Sequence, residues 1–184
     1  MGAAPAPMPP VVYAVFSGEI NQDTVQRIIN GITPVMGQVT HLHVLFQSGG
    51  GYIADGICLY NFFRALTIDL TLYNGGSVSS IAAIAFLGAQ HRKTTQYGTF
   101  MIHRSHASPQ VATAAKLEDI ARSLRIDDAR TEAILRNHIT LTQEQWNALN
   151  YENLTFNAED SVRIGFADAV AEFAPPAGAR LFTV

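Results

Sequence analysis

Short apolar segments rich in β-branched residues alternate along this chain with segments of helical periodicity, often across glycines. Val11–Ser17 and Val39–Gln47 have the character of buried strands, and the residues after Gly49–Gly51 place apolar side chains at helical spacing. Strands that alternate with helices across short glycine turns are typical of the α/β class. We therefore predict an α/β fold, with further strands at Ile68–Tyr73 and Thr99–His103.

Capping residues and periodicity predict the main helices. Asn21 caps a helix that ends at Gly31, and an apolar helix at Ser80–Ala89 follows a turn at Gly75–Gly76. The longest helix runs from Thr113 to about Asn137, and its ~25 residues give a rod of ~37 Å. That length exceeds what the core of one small domain needs, so we expect this helix to protrude.

A chain of 184 residues favours one domain. The first ten residues hold four prolines and no charged side chain, which is typical of a flexible arm. We therefore predict an arm at residues 1–10 and a single domain at residues 11–184, with residues 113–137 as its long helix.

Composition excludes several classes of protein. A net charge of −3 without a basic run argues against nucleic-acid binding, and the longest apolar run, Ile81–Ala89, is too short to cross a membrane. Cys58 is the single cysteine, which fits a reducing compartment. We predict a cytoplasmic protein without nucleic-acid or membrane partners.

The glycine loop permits three interpretations. Gly49, Gly51 and Ala54 satisfy the dinucleotide pattern G-x-G-x-x-[GA], but Asp69 opens the next strand, whereas a ribose-binding acid belongs at the strand's carboxyl end. The other two interpretations are a tight turn and a set of exposed N–H groups that form an oxyanion hole. The loop alone does not choose among them.

Two polar residues suit nucleophilic catalysis. Ser80 begins an apolar helix directly after a strand, and His103 ends another strand in apolar surroundings. From spacing alone, a helix cap and a core histidine remain alternatives. His41 and His43 share a strand face, but no Asp, Glu or Cys at ligand spacing accompanies them. We predict no metal site and no cofactor.

Four segments occur in a characteristic order: FQSGGGYIADG at Phe46–Gly56, GSVSSIA at Gly76–Ala82, MIH at Met101–His103, and the stretch Asn157–Asp168. They resemble, respectively, the motifs N-S-P-G-G-x-x-x-x-G, G-x-A-A-S-M-G, M-I-H and S-A-x-E-A-x-x-Y-G-L-I-D of the proteolytic subunit of Clp protease. The resemblance implies a crotonase-like spiral of ββα units with a protruding long helix. It also implies a Ser-His-Asp peptidase within stacked seven-membered rings.

The resemblance assigns site residues by position. Ser80 would be the nucleophile and His103 the base, with the N–H groups of Gly51 and Ile81 as the oxyanion hole. The family's acid falls on Asn153. An amide oxygen accepts the histidine Nδ1 proton, but it gives little electrostatic support to the imidazolium.

We therefore expect a serine peptidase subunit that cleaves peptides or unfolded proteins with a Ser-His-Asn triad inside a homo-oligomeric chamber. The resemblance implies a heptameric ring, paired into a double ring. The proline-rich arm has no counterpart in the family's ATPase-contacting segment, so a Clp-type ATPase partner is left open. The alternatives are a crotonase-type acyl-CoA-processing enzyme, which shares the fold, and a catalytically weakened ring subunit or scaffold, marked by Asn153.

Overall fold

The protein is described by a computed structural model that covers residues 11–184, so the arm predicted at residues 1–10 lies outside the described residues. Within that range, eight strands belong to one sheet. They are β1 (Val11–Ser17), β2 (His41–Ser48), β3 (Asp69–Ser79), β4 (His91–Thr94), β5 (Thr99–Ile102), β6 (Leu154–Phe156), β7 (Ala169–Val170) and β8 (Leu181–Thr183).

Six α-helices connect these strands, together with one 3-10 turn at Thr33–Val35. They are α1 (Gln22–Ile32), α2 (Ile53–Ala65), α3 (Ile81–Phe86), α4 (Ala114–His138), α5 (Gln143–Ala148) and α6 (Ala158–Ile164). None of them combines the length and the apolar character that a bilayer crossing requires.

The sheet has the strand order β6-β5-β3-β2-β1-β8. In addition, β4 pairs with β3, and β7 pairs with β4. Neighbouring strands are parallel except β5 and β6. The carboxyl ends of parallel strands meet at one edge of a sheet, where ligands bind in α/β proteins. The register pairs Ser79 with Met101, so Ser80 and His103 leave the sheet as near neighbours.

Aromatic side chains fill the core beneath this edge. Phe46, Phe86, Phe100 and Phe166 are almost fully buried, and their rings contact one another in series. Every residue of α3 is buried as well. This packing fixes α3, and with it the residue that precedes the helix.

The long helix α4 confirms the predicted span, and Thr113 caps it by accepting from the Lys116 N–H. Leu135 is its single buried residue within the described chain. The first turns of the helix, residues 114–119, are exposed in one copy of the chain, and half-buried residues alternate with exposed ones after them.

Two turn predictions are wrong. The chain does not turn at Gly75–Gly76, because β3 continues to Ser79. Asn74 supports the irregular strand: its side chain accepts from the Gly76 N–H at 3.0 Å and donates to the Thr99 carbonyl at 2.8 Å. Helix α1 runs past Gly31, where a side chain would collide with Val184.

Candidate active site

Ser80 occupies a tight turn between β3 and α3. Its φ of 59° and ψ of −132° make it the one non-glycine residue with positive φ in residues 11–184. Its N–H donates to the Met101 carbonyl at 2.7 Å, which ties the turn to β5. Such a conformation is costly for a residue with a side chain, and strained residues of this kind concentrate at active sites.

His103 follows β5 and lies beside the serine. The Ser80 Oγ is 2.8 Å from His103 Nε2, within hydrogen-bond distance. Both side chains are partly accessible. The structure therefore brings together the two residues that the sequence nominated as nucleophile and base.

Gly51 and Ile81, which the resemblance nominates for the oxyanion hole, line the same cleft as Ser80. The bridge beside Gly51 uses the N–H groups of Ile20 and Tyr52, at 2.8 and 2.9 Å, and leaves the Gly51 N–H without an acceptor in the described chain. Ile81 is the first residue of α3, so its N–H has no intrahelical acceptor. Both residues line the cleft with Ser80, as an oxyanion hole requires.

The glycine loop fits closely against its neighbours. Gly51 has a φ of 153°, and a Cβ on it would lie 2.0 Å from the Ile20 carbonyl oxygen. A Cβ on Gly50 would lie 2.6 Å from the Cβ of Ser80. These positions allow the backbone to approach the serine, so the interpretation of the loop as a dinucleotide motif receives no support.

The cleft beside Ser80 has a volume of about 240 Å³. Aliphatic side chains form much of its wall: Ile53, Ile84, Ile102 and Leu135. Ser105, His106 and Thr131 add polar groups. A cleft of this kind accepts an apolar side chain next to the reacting carbonyl.

No hydrogen bond joins Asn153 to the His103 ring, although both residues border one surface depression. The Nδ1 atom lies 2.6 Å from the backbone carbonyl oxygen of Arg104, and the Asn153 side chain is exposed. The antiparallel pairing of β5 and β6 ends at Ile102 and Leu154, one pair before His103 would face Asn153. No sequence pattern points to this acceptor, because every residue carries a carbonyl.

The acceptor determines the tautomer of the ring. A carbonyl oxygen has no proton to give, so Nδ1 must carry the proton and donate it to Arg104. In the neutral ring, Nε2 is then an acceptor for the Ser80 hydroxyl. The geometry is that of a serine activated by a general base.

The histidines of the sheet have other contacts. His41 is 3.1 Å from Asp69, and the His43 ring stacks on Tyr13 with centroids 5.0 Å apart. Within residues 11–184, no group of three or more His, Cys, Asp or Glu side chains is placed to hold a metal ion.

Comparisons with known proteins bear on the family and the fold of the chain. A family model described as Clp protease matches residues 13–174. Among solved structures, an asparagine-to-aspartate mutant of ClpP1 from Listeria monocytogenes is similar, with a TM-score of 0.76 and 15% sequence identity over 88% of this chain and 91% of that chain. At this identity the likeness shows the fold alone. No curated protein sequence matches this chain significantly.

Proposed function

The chain belongs to the Clp protease family, and we propose that it is a serine peptidase subunit. The observation that carries this proposal is the 2.8 Å contact between Ser80 Oγ and His103 Nε2. The strained backbone of Ser80 and the two unpaired N–H groups beside it support the same chemistry.

The reaction follows from these positions. His103 Nε2 takes the hydroxyl proton as Ser80 Oγ attacks the peptide carbonyl carbon, and the oxygen becomes an oxyanion that the N–H groups of Gly51 and Ile81 stabilise. The protonated ring gives its proton to the leaving amine, and an acyl-enzyme remains. A water molecule, deprotonated by His103, then attacks the ester and releases the acid and the free serine.

The substrates we propose are peptides and unfolded proteins. Ile53, Ile84 and Leu135 give the cleft an aliphatic wall, which favours an apolar side chain on the acyl side of the cleaved bond. A folded protein does not present an extended segment to so small a cleft.

We further propose that residues 11–184 act as one domain within a homo-oligomeric ring, heptameric and paired into a double ring in the cytoplasm. The exposed apolar side chains Leu117 and Ile126 on α4 support self-association, since 48% and 55% of them are accessible in one copy. Family membership supports the ring.

The alternatives gain no support from the described residues. The acyl-CoA-processing alternative would use the oxyanion hole, but it has no need of the Ser80–His103 hydrogen bond. A scaffold has no need of a strained serine. These contacts favour the peptidase.

The test is hydrolysis of short peptide esters and amides with apolar acyl residues. Ser80→Ala should abolish turnover, because among the described residues Ser80 carries the hydroxyl that hydrogen-bonds to His103 Nε2. Ser77→Ala is the matched control: this serine lies on β3, the strand that precedes Ser80, contacts Ser79 at 3.0 Å and does not line the cleft. Equal activity of Ser80→Ala and wild-type protein would refute the proposal.

A further inference from the structure

The acceptor of the His103 Nδ1 proton lies in an irregular segment. Residues 103–106 belong to no helix or strand, and the sheet pairing beside them has ended. The orientation of a backbone carbonyl in such a segment varies unless other contacts fix it. The tautomer of His103 therefore depends on what holds Arg104.

The Arg104 side chain joins two other elements. Its Nη1 lies 2.7 Å from Glu132 on α4, and its Nε and Nη2 donate to the Asn150 side-chain oxygen at 3.1 and 3.0 Å. The two ionic side chains are each 25% exposed, so solvent screens this pair only in part. A guanidinium that contacts both Glu132 and Asn150 has little freedom to move.

The carboxylate in this contact is charged at neutral pH. Burial pushes the pKa of Glu132 upward, but hydrogen bonds from Arg104 and Arg136 outweigh that effect and hold the pKa below its ordinary value. A second tether acts on the next residue, because the Ser105 N–H donates to Asp128 on the same helix at 2.7 Å. Helix α4 therefore holds the segment that follows the catalytic histidine.

We propose that Arg104 is a positioning residue: its side chain, bound to Glu132 and Asn150, fixes the main-chain carbonyl that accepts the His103 Nδ1 proton. This carbonyl takes the part that the family resemblance assigns to Asn153. The inference rests on the proposed peptidase function, and it places the control of the base in α4 and the α5–β6 connection.

The experiment measures kcat and KM of the full chain with a short peptide ester. Arg104→Ala should lower kcat roughly 10- to 100-fold with little change in KM, since a misplaced base slows chemistry more than binding. Arg104→Lys keeps a cation for Glu132 and should recover part of the loss.

Two further variants serve for comparison. Asn153→Ala should lower kcat less than Arg104→Ala does. Arg163→Ala is the control for loss of an arginine: it removes an exposed ion pair within α6.

Glu132→Gln provides a second route to the same contact if Arg104→Ala does not fold, and it should also lower kcat with little change in KM. Unchanged kcat in either folded variant would overturn the inference. So would a larger loss in Asn153→Ala than in Arg104→Ala. Absence of Ser80-dependent turnover in the wild-type protein would instead refute the proposed function, so the two failures are distinguishable.

Discussion

Gly50 shows how closely the glycine loop approaches the nucleophile. Its φ is 110°, which residues with side chains rarely adopt, and a Cβ there would meet both the Cβ and the Oγ of Ser80. Ser80 has a strained backbone and a hydrogen bond to His103. A shift of Ser80 away from a new Cβ would break that hydrogen bond. The glycine is therefore part of what keeps the serine in place.

We expect Gly50→Ala to lower kcat at least about tenfold, since a displaced nucleophile loses its alignment with the base. Steady-state kinetics with a peptide ester measures the effect. Gly49→Ala is the control, because a Cβ at Gly49 meets nothing within 4 Å. Equal losses in the two variants would show that the contact with Ser80 is unimportant.

Regular elements were predictable where one physical signal dominates. The strand β1 and the helix α4 follow from β-branched composition and from capping with helical periodicity, and both lie where the sequence placed them. The Gly75–Gly76 segment was not predictable as strand, because Asn74 and its contact with Thr99 stabilise it across the sheet. Strand β4 begins with charged side chains and lacks the apolar pattern of a strand.

The candidate site, like the fold, was predictable from the sequence only in part. The motifs nominated Ser80, His103, Gly51 and Ile81, and the fold places all four around one cleft. Their catalytic roles stay a prediction. The acceptor for Nδ1 was not predictable, since it depends on where β5 and β6 stop pairing and on a side chain, Arg104, that reaches α4.

Helix α4 should carry the association between copies of the chain. Light scattering of the wild-type protein should give seven or fourteen times the 20.0 kDa of one chain. Leu117→Glu should lower this mass, because it places a charge on an apolar side chain that is 48% exposed in the single copy. Leu117→Met keeps the apolar character and should assemble normally. A wild-type mass near 20.0 kDa would remove the chamber from the account.

Two partly buried histidines make the free energy of unfolding of the protein depend on pH. Burial, with the charges of Arg92 and Arg64, lowers the pKa of His138 from its ordinary 6.5. Burial, with His41 and His91, lowers the pKa of His43 in the same way. The unfolded chain therefore binds more protons than the folded chain as the pH falls below 6.5.

The stabilisation that the two neutral histidines contribute is complete above pH 6.5. It is lost as the pH falls through their lowered pKa values. We expect a lower melting temperature at pH 5 than at pH 7.5. His138→Gln should weaken the dependence, because an amide oxygen can still accept from the Tyr60 hydroxyl, which lies 2.9 Å from His138, without titrating. Calorimetry at both pH values measures it, and a melting temperature that rises on acidification would contradict the sign.

Covalent labelling with a fluorophosphonate, followed by peptide mapping, tests the Ser80–His103 pair directly. The reagent reacts with a serine that a base has activated, so we expect modification at Ser80 in the wild-type protein and a strongly reduced rate in His103→Ala. Ser77, on the preceding strand β3, should stay unmodified in both. An unlabelled Ser80, or labelling at the same rate without His103, would contradict the claim that these two residues form the catalytic centre.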